Sequence, residues 1–253
     1  MRNLKHRTAR VLAVLAAFAL AATLATAVQA QGLVVDPTAT QILKRMTDYL
    51  GSLEQFSLHT QNTVEDMLDS GQRVDLEVST NVIVKRPSML FAERSDHGVK
   101  QIFQYDGKTL TLYDQPKNAY ATEAAPNTLA GMLDFARQSL GLVIPASDLV
   151  YPNAFELLTQ NLVSATVVGK AFVGGIACDH LAFRRPDVDF QIWVAEDDPP
   201  LPCKMVVTDT GTPAMLSVMT RISDFNAAPA VPDDRFTFVA PIGAQPVTFM
   251  RLE

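Results

Sequence analysis

The sequence predicts an α+β fold: a long, mostly antiparallel sheet, one helix before it and a helical insertion in its middle. Three observations predict it. Apolar residues recur at helical spacing in residues 36–51 and again within 126–160. Period-two alternation fills the stretches after each of these segments. Dipeptides such as Asp106-Gly107 and Pro186-Asp187 interrupt the alternation with turn chemistry.

The first thirty residues stand apart from the fold. Arg2, Lys5, Arg7 and Arg10 precede an unbroken apolar run from Val11 to Ala22, and small residues lead to Ala30. A basic region, an apolar region and a small-residue cleavage region make a secretory signal peptide, cut after Ala30 or after Ala27. The alternative is an uncleaved anchor, for which the Ala-rich run is short. No Cys follows the run to accept a lipid, because Cys178 and Cys203 are the only two. Residues 31–253 then form one exported, periplasmic domain.

Net charge follows from this division. The full chain has 21 basic and 27 acidic residues; without the four basic residues of the leader, 17 remain against 27, a net charge of −10. Such a chain lacks the basic face that nucleic acid requires, so no nucleic-acid partner is expected. It is also a poor match for an anionic lipid surface.

Asp36 is placed to cap the first helix, Pro37 suits its first turn, and Gly51 is placed to close it. Ala39, Ile42, Leu43, Met46 and Leu50 share one face. From Arg73 to Lys85 the apolar residues Val74, Leu76, Val78, Val82 and Val84 alternate with polar ones, which is a half-buried strand. Phe56, Leu58 and Val64 alternate more weakly before it, with Ser70-Gly71 as the turn. Shorter strands follow at Met89–Arg94, Lys100–Tyr105, Lys108–Tyr113 and Asn118–Thr122. The first half is thus an antiparallel meander.

Residues 126–160 break the alternation. Asn127 is a candidate cap for a helix whose stripe is Leu129, Met132, Leu133, Ala136 and Leu140, with Phe135 beside it and Gly141 at its end. Pro145 and Pro152 divide the rest into short pieces, including Ala154–Leu158. Strands resume near Val163 and are separated by Gly174-Gly175, Pro186-Asp187, Asp197–Pro200 and Gly211–Pro213. A two-residue turn at Pro186-Asp187 pairs Phe183 with Phe190 and Leu181 with Ile192 on one apolar face. The other face pairs His180 with Trp193, which puts the only Trp at or near the surface.

Catalytic signatures are weak. Gly107-Lys108-Thr109 ends like a phosphate loop, but position 102 is Ile where the motif needs Gly. Gly-x-Ser-x-Gly is absent. His59, His97 and His180 have no His or Cys at helical ligand spacing. Cys178 and His180 share a strand face, but at about 7 Å they are too far apart for a direct dyad. The expectation is a protein with no catalytic residues, no metal and no cofactor. The pairing of Cys178 with Cys203 stays open: export favours a bond, whereas the register puts Cys178 opposite Ala195 with Cys203 one strand beyond, and next-nearest strands lie about 9.6 Å apart.

Asp36-Pro37 with QILKRMTDYL, then GQRVDLEVSTNVIVKRPSML, YDGKTLTLYDQPKNAYAT, CDHLAFRRPDVDFQIWV and LPCKMVV resemble an uncharacterised family of exported bacterial proteins. The likeness spans about Val35 to Phe249. That family is similar in layout to periplasmic lipoprotein carriers of the LolA and LolB group. The resemblance implies a strongly curved, incomplete β-barrel with a helical lid or plug on its concave side. It also implies an apolar ligand there, a lipid or acyl chain. Strand parity then nominates Val78, Val82, Leu110, Leu112, Leu181, Phe183, Phe190 and Ile192 as lining residues, with Met132, Leu133, Phe135 and Leu140 from the lid. The expected function is a periplasmic binder or carrier of a lipid, a lipidated protein or another apolar ligand. The alternative is a protein-binding regulatory module on the same fold, with a membrane-protein partner.

Overall fold

The computed structural model describes residues 34–250 apart from His97 and Val143, so the signal peptide expected over 1–30 lies outside the described residues. Helix α1 spans Pro37–Ser52, and the Asp36 carboxylate accepts a hydrogen bond from the Thr38 amide at 2.8 Å. Its buried stripe is Ala39, Leu43, Met46, Thr47 and Leu50. Gly51 does not end the helix, as its position suggests; it lies inside it, where a Cβ would stand 3.3 Å from the Pro152 carbonyl oxygen. Its smallness serves a close approach between segments.

Six strands follow: β1 (Gln55–Met67), β2 (Arg73–Lys85), β3 (Met89–Asp96), β4 (Val99–Tyr105), β5 (Thr109–Asp114) and β6 (Ala119–Ala124). Helices α2 (Leu129–Leu140) and α3 (Ala154–Thr159) interrupt the strands. Then come β7 (Ser164–Val173), β8 (Ile176–Arg184), β9 (Val188–Ala195), β10 (Pro202–Asp209), β11 (Ser217–Asn226) and β12 (Gln245–Val247). The twelve described strands form one open sheet, in the order β12-β6-β5-β4-β3-β2-β1-β11-β10-β9-β8-β7. Each neighbouring pair is antiparallel except β12 with β6. Two meanders are thus joined where β1 meets β11, from Ser57 opposite Asn226 to Val64 opposite Val218. This is the α+β, mostly antiparallel sheet that the sequence predicts, and it is not closed into a barrel, as the family resemblance implies.

Two apolar cores fill the face that carries the helices. Under α1, the residues Leu43 and Met46 pack with Leu181, Phe183, Phe190, Ile192 and Met205. Under α2, the stripe Leu129, Met132, Leu133, Ala136 and Leu140 packs with Phe56, Val84, Leu90, Tyr105 and Leu110. The cap of α2 is Thr128 rather than Asn127, its Oγ1 accepting from the Gly131 amide at 3.1 Å. Gly141 closes α2 at φ 62°, the left-handed conformation that glycine adopts without strain.

The hairpin of β8 and β9 has the register that its turn implies, with Phe183 opposite Phe190 and His180 opposite Trp193. The Trp193 ring is nonetheless buried, at 8% exposure. His180 stacks on it at 4.0 Å between ring centroids, and Lys204 Nζ lies 4.5 Å from its centre. The chain after β11 straps the opposite face of β3–β6. There the Arg235 guanidinium sits 3.9 Å from the Phe91 ring centre, Phe236 is buried, and Phe238 packs on Tyr113 and Tyr120. No periodic signal announces that strap.

Candidate functional site

Cross-strand pairing arranges the concave face in rows. The deepest row runs Phe56–Val84–Leu90–Tyr105–Leu110 across β1 to β5. The next runs Leu58–Val82–Ala92–Phe103–Leu112. The third runs Thr60–Thr80–Arg94–Gln101–Asp114, with Ile222 of β11 beside Thr60. Two apolar rows are therefore followed by a polar one. The period-two geometry of strands produces this pattern wherever registers stay aligned.

The deepest row is closed by α2, whereas the second faces free space. A cavity of about 150 Å³ lies between that row and a cover formed by Leu142 and residues of 144–150. Its apolar wall comprises Leu50, Phe56, Leu58, Val82, Leu90, Ala92, Phe103 and Leu112, and its cover comprises Leu133, Leu142, Ile144, Pro145, Leu149 and Val150. Ala92 stands between Val82 and Phe103 in the row, and its small side chain leaves room there.

The polar end is a satisfied network. Asn62, 1% exposed, donates through Nδ2 to Thr60 Oγ1 at 3.0 Å and to the Val78 carbonyl at 3.2 Å. Its Oδ1 accepts from Thr220 Oγ1 at 2.8 Å. Among the described residues Arg94 is the only charged side chain lining the cavity, and its pair with Asp96 is long, at 3.8 Å. Farther along the row, Asp114 is held by Lys117 at 3.2 Å. Burial acts to raise the Asp114 carboxyl, but hydrogen bonds from Lys117 and Gln101 outweigh it and hold it below the usual carboxylate range.

Polar links fasten the cover. Tyr151 Oη donates to Asp134 Oδ1 at 2.8 Å, and Arg137 Nη2 donates to Asp148 Oδ1 at 2.8 Å and to Ser147 Oγ at 3.1 Å. Burial, then the adjacent Asp134 carboxylate, push the Tyr151 hydroxyl well above its ordinary value. It stays protonated and remains a donor.

Comparison with known proteins adds a family to this geometry. The family described as "Predicted periplasmic protein (DUF2092)" matches residues 39–250. The chain belongs to that family. Among curated proteins, none matches it. Similar solved structures include LprF from Mycobacterium bovis, at TM-score 0.48 and 13% identity, covering 79% of this chain and 98% of that one. LppX, a lipoprotein of Mycobacterium tuberculosis, aligns at TM-score 0.45 and 13% identity, covering 78% of this chain and 100% of that one. A LolA superfamily protein from Nitrosomonas europaea aligns at TM-score 0.39 and 13% identity, covering 79% of this chain and 97% of that one.

In this DUF2092 protein the residues that the sequence nominates fall into four groups. Val82, Leu112 and Leu133 line the cavity. Leu110, Met132 and Leu140 are packed in the core beneath it, with Phe135 partly buried at its margin. Val78 is buried on the same strand face, next to the polar network. Leu181, Phe183, Phe190 and Ile192 lie under α1, where the Phe183 and Phe190 rings stack at 4.7 Å. The helix fills that half of the sheet. Leu58, Ala92, Phe103 and the segment 144–150 also line it beyond what the sequence nominates; the first three follow from parity once the register is known, and the last has no period to read.

Cys178 faces Ala195, as the register requires. Cys203 sits in a bulge of β10 between Pro202 and Lys204, and that irregularity brings it into one buried cluster with Cys178. Ideal strand spacing does not allow for this. Both cysteines are free thiols. Among the described residues no group of three His, Cys, Asp or Glu side chains is placed to hold a metal, and no helix is long and apolar enough to cross a membrane.

Proposed function

We propose that this protein is exported, loses residues 1–30, and binds or carries an apolar ligand in the cavity between the second apolar row and its cover. The observation that supports this most is an apolar wall left open in an otherwise close-packed face. Each methylene moved there from water contributes about 0.8 kcal/mol. The ligand class is a lipid, an acyl chain of a lipidated protein, or a molecule of like apolarity. At about 150 Å³ the cavity takes a short stretch of chain; pockets that enclose whole drug-sized ligands measure about 300–1,000 Å³. A full acyl chain therefore requires the segment 144–150 to move away with α2.

The test is purification from the periplasm, solvent extraction and mass spectrometry. A stoichiometric apolar compound in the extract is the expected result, and an intact mass starting at Gln31 or Val28 reports the cleavage. An extract empty of such a compound, from a protein that also takes up no added amphiphile, overturns the proposal. A protein-binding role on the same fold is favoured by one feature, the tip between β7 and β8, where Phe172 is 79% exposed and Ile176 is also exposed. Photocrosslinking from position 172 in intact cells tests it: one dominant membrane-protein adduct from a protein without extractable lipid favours that role.

A further inference from the structure

We propose that the cavity selects a single-chain amphiphile with an anionic head, bound tail-inward against the second row with its head at Arg94. This rests on the apolar-ligand reading and deepens it. The rows make the concave face amphiphilic along one direction: two apolar rows, then Thr60–Thr80–Arg94–Gln101 across four adjacent strands. An acyl chain without a polar end matches only the first part. A ligand that matches both must carry a polar group one row spacing beyond the end of its buried chain.

The sign of that group follows from the charges. Among the described residues Arg94 is the only charged side chain in the lining; it sits mid-row between Thr80 and Gln101, and its side chain is 47% exposed. Its ion pair with Asp96 is at 3.8 Å and partly solvated, which makes Asp96 a weak competitor. A guanidinium can instead hold two oxygens of a carboxylate or phosphate in parallel, with the amide of Gln101 as a further donor beside it. The acid of the row, Asp114, is held by Lys117 at 3.2 Å and does not pair with Arg94. On a protein whose formal charge is negative, a lone lining cation marks where an anion is accepted.

The test is calorimetry on the delipidated exported protein with three ligands of equal chain length: decanoate, decyl phosphate and decanol. The expected result is that the acid or the phosphate binds at least about tenfold tighter than the alcohol, and the larger of the two preferences names the head. Arg94→Gln should erase the preference and leave decanol unchanged; Arg94→Lys, which keeps the charge, should retain part of it. Added salt should shrink the preference of the wild type. Equal affinity for all three ligands, or a uniform loss in Arg94→Gln, overturns the anionic head and leaves the apolar cavity standing. Failure of all three to bind overturns both proposals.

Discussion

Tyr151 donates its hydroxyl hydrogen bond to Asp134 Oδ1 at 2.8 Å, fastening the cover of the cavity to the exposed side of α2. The bond is to a carboxylate, and Tyr151 itself is 4% exposed. Removing such a bond costs about 1.5–3 kcal/mol. Tyr151→Phe should lower stability to urea by that amount and, on the proposed opening by movement of the cover, speed release of bound decanoate several-fold. Unchanged release from a destabilised variant would show that ligand exits without displacing this segment.

Ala92 decides whether the second row is full or open. Ala92→Phe should occupy the free space beside Val82 and Phe103 and weaken decanol binding at least tenfold. Filling a void with apolar atoms recovers contacts rather than losing them, so the melting temperature should hold or rise. Binding that survives this substitution would locate the ligand elsewhere.

Asn62 carries the buried polar end of the site. Its amide serves Thr60, the Val78 carbonyl and Thr220, with all three side chains nearly inaccessible to water. Asn62→Ala strands several of these groups at once and should cost about 2–3 kcal/mol in urea unfolding, whereas Thr220→Val removes a single bond and should cost about 1 kcal/mol. The double variant should cost less than the sum, since both act on one network.

What the sequence reveals about this molecule depends on how local each signal is. The α2 stripe is legible residue by residue, because a helix repeats within four positions and all five stripe residues are buried as read. The β8–β9 register is legible for the same reason: one turn sets it. The polar row is not, because placing Arg94 beside Thr80 and Gln101 needs two successive registers to be correct. The joining of β1 to β11 links segments about 160 residues apart, which no local pattern encodes. Leu181, Phe183, Phe190 and Ile192 have the parity of a lining, yet α1 covers them, and parity cannot say which apolar face a helix will take.

The two cysteines supply the last prediction. Burial raises both thiols, and Cys203 is pushed up to about 12, helped by its hydrogen bond with Cys178. The thiolate is the reactive form, so at pH 8 the Cys203 thiolate fraction is on the order of one in ten thousand. Iodoacetamide should therefore label neither cysteine in the native protein. After denaturation without reductant it should label both, because the thiols are free. Labelling only after a reductant is added would show that the β10 bulge brings Cys203 close enough to Cys178 for the pair to oxidise during export. The mutually close thiols would then act as a covalent tie across β8, β9 and β10, with a stabilisation of up to about 3 kcal/mol, and loss of that tie in Cys203→Ser should appear as a lower urea midpoint only in protein purified without reductant.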